Sequence, residues 1–292
     1  MAGVLEKGDL VDRIMEGATK QCEWKGAGEA KPASTNEDVN NIAVPAEKIG
    51  RHQPHKMKIG RLNCFVIQTH AEPEVSVVLL HGFGANANDL VNVGKGLQQR
   101  LRRGARIRFI FPEGPVVLQE GSFAWWPLDI SSLFFRIAQP GGAENLFEGQ
   151  AEGVMRDAQS RVAELLEIEQ RAFGLEASKI LLSGFSQGSW LATQVALSSS
   201  NDYGGLVIFS GGMYMPQTWP QKMSKKGARL RVLQSHGASD SILPYVQGKV
   251  LQEAFKKAGC QHSFISFSGD HTIPSEAIDK FASSFIAPAL IS

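Results

Sequence analysis

From about residue 57 onward, short apolar runs alternate with stretches whose apolar residues recur every three or four positions. Residues 58–69 carry Ile59, Leu62, Cys64, Phe65, Val66 and Ile67 and read as one strand. A Glu72-Pro73-Glu74 turn follows, and residues 75–80 are then almost wholly apolar, as in a strand covered on both faces. Residues 88–102 have a helical pattern, with Asp89 in the first turn and arginines in the last, as the helix dipole favours. Residues 106–111 read as a strand ended by Pro112. From 112 to about 145 the pattern dissolves into a long segment rich in Gly, Pro and aromatics, a length that inside a compact domain usually serves function. A helix is predicted over 147–173, with breaks near Gly149 and Gly153. Strand 179–183, helix 189–197 and strand 206–210 come next, then a loop and strand 230–235. Helix 244–258, strand 263–267 and helix 275–286 close the chain. This alternation predicts an α/β fold, a mostly parallel central sheet with helices on both faces.

Residues 1–56 differ. Leu10, Val11, Ile14, Met15 and Ala18 share one face of a potential short helix, and a polar stretch follows with Gly26, Gly28, Pro32, Pro45 and Pro54. A helix resting on the main domain, a targeting segment and an unstructured arm are all compatible with it. The expected division is an N-terminal extension over 1–56 and a catalytic domain over 57–292.

Composition narrows the function classes. The 292 residues are 43% hydrophobic and 20% charged, a globular profile, and 30 Lys plus Arg balance 29 Asp plus Glu. That balance argues against nucleic acid as a partner. Arg100, Arg102, Arg103, Arg106 and Arg108 form the one basic cluster; at a helix end and strand start, they are expected to face solvent. Cys22, Cys64 and Cys260 make neither a disulfide framework nor a metal pattern, which points to a reducing, cytoplasmic setting. The N-terminus lacks a signal-peptide layout, and no apolar run reaches membrane-spanning length.

The sharpest chemistry lies in Gly184-Phe185-Ser186-Gln187-Gly188, between an apolar strand and a helical pattern. Strand, tight turn and helix are what a nucleophile elbow requires, holding Ser186 above the sheet edge. A serine needs a base and an acid that orients it. Of the downstream histidines, His262 begins a strand and His236 opens a turn, whereas His271 follows the last strand just before a helix. Asp240 lies in the loop after the preceding strand, with a helix N-cap as its bland alternative. Asp270 is a spare carboxylate adjacent to the base. Two backbone amides should hold an oxyanion: Gln187 and, from the loop Leu80-His81-Gly82-Phe83-Gly84, Phe83. Neither a phosphate loop nor a metal-site spacing is present, so no cofactor and no metal are expected.

Taken in order, His81-Gly82-Phe83-Gly84, Phe111-Pro112-Glu113-Gly114-Pro115, Trp125-Trp126-Pro127-Leu128-Asp129, the Ser186 pentad, His236-Gly237-x-x-Asp240, Leu243-Pro244 and His271 resemble a family. It is the lysophospholipase/carboxylesterase group of α/β-hydrolases, which includes the acyl-protein thioesterases. The resemblance runs from about 57 to 286. It implies an α/β-hydrolase fold and cofactor-free cleavage of carboxylic esters or thioesters through an acyl-enzyme. Carried over position by position, it implies the triad Ser186, Asp240 and His271, with Phe83 and Gln187 as oxyanion donors. Its small-molecule or lipid-like acyl substrate would lie in a hydrophobic groove beside Trp125, Trp126, Leu128, Met213 and Leu243; core packing is the bland reading of each. Four positions depart from the family pattern, Ser189, Asp270 and the Pro127-Leu128 pair, and the arm has no family counterpart. A small-ester esterase, a non-catalytic binding protein on the same fold, and a peptidase are the rival readings.

Overall fold

The computed structural model describes residues 42, 44, 45, 49, 53–150 and 152–291. The apolar stripe of residues 10–18 and Cys22 lie outside the described residues. An eight-stranded sheet forms the centre, in the order β1-β2-β4-β3-β7-β8-β9-β10. Strands β1 (His55–Ile59) and β2 (Leu62–Gln68) form an antiparallel hairpin, and β2 runs antiparallel to β4 (Ile107–Pro112). From β4 onward the sheet is parallel, through β3 (Val75–Leu80), β7 (Ile180–Phe185), β8 (Gly205–Phe209), β9 (Arg231–Gly237) and β10 (Gln261–Phe267). β3, β4, β7 and β8 are buried at every position, which explains their largely apolar character, broken only by residues such as Ser76, Arg108 and Ser183.

Two apolar clusters, one on each face, hold the helices against the sheet. The first helices are α1 (Val91–Gln99), entered through a 3₁₀ turn capped by Asn86, α2 (Ile130–Ile137) and α3 (Arg156–Phe173). There follow α4 (Gln187–Ser198), α5 (Trp219–Lys226), α6 (Tyr245–Lys257), α7 (Ser275–Phe281) and α8 (Ala287–Ala289).

Several elements differ from the sequence pattern. The first expected strand is two, because Gly60, at φ +55°, turns the chain back on itself. The long irregular segment contains a small antiparallel hairpin, β5 (Val116–Gln119) with β6 (Ser122–Ala124), and α2. α3 starts at Arg156, after the glycines, rather than at 147. The expected loop after β8 holds α5, whose buried Trp219 and Met223, four residues apart, were too few to register as a period.

Arg108 corrects the reading of the arginine cluster. It is fully buried on β4, where its Nε donates to Glu169 of α3 (3.0 Å), its Nη1 to Gln68, and its Nη2 to the Ile42 carbonyl (2.9 Å). Ser76 also donates to Glu169, at 3.2 Å. Burial raises the Glu169 pKa, while the charge of Arg108 and the two hydrogen bonds pull it back. Arg100 and Arg106 behave as expected of surface cations, pairing with Asp279 and with Glu72 and Glu74. The contact with Ile42 has a further consequence. Ile42 and Val44 are buried in the same apolar cluster as Ile59 and Leu62, so part of the chain upstream of residue 57 packs into the core.

Candidate active site

Ser186 sits between the end of β7 and the start of α4 at φ 52°, ψ −119°, a conformation that side chains disfavour and that active-site turns often store. The two glycines of the pentad make the turn possible. A Cβ on Gly184 would lie 2.2 Å from the Gly188 carbonyl oxygen, and one on Gly188 would lie 2.1 Å from that of Leu80. The serine nitrogen is tied to the Phe209 carbonyl of β8 at 3.0 Å. Ser189, where the family pattern has glycine, donates its hydroxyl to the Ser186 carbonyl at 2.6 Å and so fastens the elbow from within α4.

β9 and β10 pair in parallel, Phe267 opposite Gly237, so the loops that follow them leave the sheet side by side. This brings Asp240 and His271 together: Oδ2 of Asp240 lies 2.7 Å from Nδ1 of His271, both residues being more than 90% buried. Oδ1 of Asp240 accepts the Ile242 and Leu243 amides at 3.0 and 2.8 Å, so the carboxylate caps its own turn and still faces the histidine. The expected cap of the Pro244 helix is not formed, since that helix has no side-chain cap and Asp240 caps only its own turn. Nε2 of His271 is buried without a hydrogen-bond partner among the described residues, and the ring lies 4.8 Å from that of Phe185, the residue before the serine.

His236 braces this turn. Its Nε2 is 2.9 Å from the Leu243 carbonyl and 3.3 Å from Asp240 Oδ2, and burial lowers its pKa. His262 bonds Gln234 and stacks on Phe255, with burial taking its pKa down to about 4. Neither competes with His271 for the place beside the elbow.

The loop after β3 runs close beside the serine, since a Cβ on Gly82 would come within 3.4 Å of Ser186 Cβ. His81, fully buried, holds that loop. The Gly114 amide donates to its Nε2 at 2.9 Å, which leaves the ring proton on Nδ1, 2.7 Å from the Gly82 carbonyl. Burial takes the His81 pKa down to about 4, consistent with a neutral ring. Because a trans peptide points its C=O and N–H in opposite directions, fixing the Gly82 carbonyl on His81 turns the Phe83 N–H away from that ring. The hairpin supports the same loop, Gly84 donating to Phe123 at 2.9 Å and Phe123 to Ala85 at 2.8 Å.

The Gln187 side chain is a structural tie at this loop that sequence reasoning missed. It is fully buried and grips the tryptophan loop, accepting the Trp125 amide at 3.0 Å and donating to the Trp126 carbonyl at 2.8 Å. A long polar side chain at the foot of an apolar helix was its only signal, since such a group must find a buried partner.

The five expected substrate contacts separate. Trp126 and Leu128, with Leu133, Phe147, Trp190 and Tyr214, line a cavity of about 250 Å³ that Asp129 and Arg136 also border, between the tryptophan loop and α4. Trp126 donates its indole N–H to the Tyr214 hydroxyl, and Trp190 stacks on Tyr214 at 4.6 Å. Trp125 faces the other way, donating to the His81 carbonyl at 2.9 Å and packing on the His81 ring. Met213 is buried in the core, and Leu243 is bound into the Asp240 turn; neither lines that cavity. Among the described residues no group of histidines, cysteines and carboxylates could hold a metal ion, and no helix is long and apolar enough to cross a membrane.

Residues 62–289 match the family described as Phospholipase/Carboxylesterase. Acyl-protein thioesterase 1 of Gibberella zeae is 22% identical over 233 residues, covering 77% of this chain and 94% of that protein. Lysophospholipase-like protein 1 of Mus musculus is 27% identical over 227 residues, covering 75% and 88%. Among solved structures, the carboxylesterase from Mesorhizobium loti has the same fold, with a TM-score of 0.60 at 13% identity over 79% of this chain and 97% of that one. A strand order with six parallel strands, a strained serine elbow and a family match across nearly the whole described domain converge on one assignment. The chain belongs to the phospholipase/carboxylesterase family of α/β-hydrolases and is a hydrolase of carboxylic esters or thioesters.

Proposed function

We propose that Ser186 is the nucleophile of an acyl-enzyme mechanism, with His271 as its base, Asp240 as the orienter of that base, and the Phe83 and Gln187 amides as the oxyanion donors. The observation that carries this reading is the Asp240–His271 pair at 2.7 Å, which leaves His271 Nε2 unpartnered, its ring 4.8 Å from that of Phe185, the residue before a serine held at positive φ. With Nδ1 donating to Asp240, Nε2 carries the lone pair that takes the Ser186 hydroxyl proton. The serine oxygen then bonds to the carbonyl carbon of the ester or thioester. The carbonyl oxygen becomes an oxyanion, faced by the Phe83 amide and by the Gln187 amide at the N-terminus of α4. Collapse expels the alkoxide or thiolate, which leaves with the proton from His271. Water, deprotonated by the same nitrogen, releases the carboxylic acid and restores the serine.

The substrate in this reading is a small-molecule or lipid-like ester or thioester with a medium or long acyl chain. The aromatic wall of Trp126, Phe147, Trp190 and Tyr214 in the cavity supports that choice, as does the likeness to proteins named acyl-protein thioesterase and lysophospholipase-like protein. The free thiols of Cys64 and Cys260 support a reducing, cytoplasmic setting. Each methylene buried against the cavity wall contributes up to about 0.8 kcal/mol, so four extra carbons raise kcat/KM by up to about two orders of magnitude.

Two measurements test the proposal together. Ser186→Ala should abolish labelling by a fluorophosphonate probe and lower kcat by roughly 10⁴-fold in a folded protein. A series of p-nitrophenyl esters from acetate to dodecanoate, kept below their micelle limits, should show rates rising with chain length. Probe labelling of the alanine variant would place the nucleophile elsewhere. A rate falling steadily from acetate would leave a small-ester esterase.

A further inference from the structure

The loop residue before His271 has a role that the triad alone does not require. Asp270 projects one oxygen, Oδ1, into a nest of three donors, each at 2.8 Å: the amide of Ser241, the hydroxyl of Ser241 and the amide of His271. Ser241 directly follows Asp240, so this single atom bonds the backbone on both sides of the Asp240–His271 contact. Two main-chain bonds begin the same seam nearer the sheet, Ala238 to the Phe267 carbonyl (2.8 Å) and Ser239 to the Gly269 carbonyl (3.0 Å). Gly237 permits that approach, because a Cβ there would lie 2.4 Å from the Asp270 carbonyl oxygen. Past Ser239 the main-chain ladder stops, and the catalytic pair stands on two loops with only side chains to join them. Asp270 is the closing stitch.

We propose that Asp270 is a positioning residue, which locks the Asp240 loop onto the His271 loop through Ser241 and so holds the acid–base pair in register. The claim rests on the assignment of Asp240 and His271 given above. Aspartate stands here where the family pattern has a small or apolar residue, so the clamp is a property of this chain rather than of the chemistry it shares. A carboxylate suits the place because an ionised oxygen accepts several donors at once, and each such bond is stronger than one between neutral groups. Asp270 does not touch the reacting atoms. It acts through the geometry of a pair whose misplacement by about 1 Å can cost 10²-fold in rate.

The test compares four folded variants, using p-nitrophenyl octanoate as the substrate. Asp270→Ala removes the shared acceptor and should lower kcat roughly tenfold with KM changed by less than about twofold. Asp270→Asn keeps a carbonyl oxygen for the same three donors and should recover most of that loss. Ser241→Ala removes one donor and should lower kcat about two- to threefold. Asp240→Asn serves as the control for the triad and should cost far more than any of these, on the order of 10⁴-fold. Asp270→Ala with kcat within twofold of the parent overturns the clamp, and so does Asp270→Asn as slow as Asp270→Ala, which would make charge rather than position the cause. A raised KM at unchanged kcat also overturns it, by making Asp270 a substrate contact. Should Asp270→Ala fail to fold, Ser241→Ala decides, and an unchanged kcat there refutes the proposal. An active Asp240→Asn would instead sink the triad assignment itself.

Discussion

Replacing Gln187 by alanine separates two jobs that one residue performs. Its main-chain amide stands beside the serine and survives the substitution, whereas its side chain holds the tryptophan loop through the Trp125 amide and the Trp126 carbonyl. Both loop groups belong to buried residues, so truncation leaves a donor and an acceptor without partners at about 1–3 kcal/mol each. The expected loss of stability is therefore about 2–6 kcal/mol, a fall in Tm on the order of 5–20 °C for a domain of this size. The kinetic effect should fall on chain-length preference. Trp126 forms a wall of the cavity, and loosening it by about 2 kcal/mol shifts the ratio of held to displaced loop roughly 30-fold toward displaced. A short acyl group makes little use of that wall. The assay is kcat/KM for p-nitrophenyl acetate and p-nitrophenyl decanoate on parent and variant, with fluorophosphonate labelling to count competent serines. The expected result is retained labelling and a decanoate-to-acetate ratio reduced by tenfold or more. An unchanged ratio in a variant of unchanged Tm would refute the claim that this side chain supports the acyl site.

Two further outcomes follow from groups outside the proposed triad. His81 has a folded pKa of about 4 against an ordinary 6.5, so folding favours its neutral form. That contribution is complete above about pH 6.5, is lost as pH falls toward 4, and amounts to no more than about 3 kcal/mol. Thermal melts between pH 7 and 4 should therefore fall more steeply for the parent than for His81→Gln, and equal slopes would show that His81 does not carry the effect. Chains beginning at residue 42 and at residue 53 should differ in stability by about 3–6 kcal/mol, because the shorter one loses buried Ile42 and Val44 and leaves Arg108 Nη2 without the Ile42 carbonyl. Equal urea midpoints for the two would mean that this segment is not part of the core.

The parts of the molecule legible in the sequence are those where local chemistry and fold demand the same residue. The elbow was readable because the crossing of β7 and α4 past β3 leaves no room for a Cβ at Gly184 or Gly188. The pairing of Asp240 with His271 was readable because consecutive parallel strands deliver their following loops to the same sheet edge. What escaped depends on partners distant in sequence. Arg108 looked like a surface cation until Glu169, 61 residues away, came to face it across β4 and α3. The β5–β6 hairpin has only four and three residues and takes its place partly from bonds to the Gly82–Ala85 loop, so it left no periodic trace. Asp270 looked redundant because a side chain next to the base cannot face it. Its actual partner, Ser241, becomes visible only when the two loops are seen together.

The open sheet has two outermost strands, and they are unequally guarded against self-association. β1 presents Lys56 and Lys58 as its exposed positions, and a second copy adding a strand there would bring lysine rows together. β10 carries no formal charge at all: Gln261 and Ser266 are its exposed positions, and His262 stays neutral at physiological pH because burial holds it near 4. Strand-to-strand growth between copies therefore meets a row of like charges on the strand at one end of the sheet and a strand without formal charge at the other. The β10 end is the place to introduce a lysine when the protein must be kept monodisperse at high concentration.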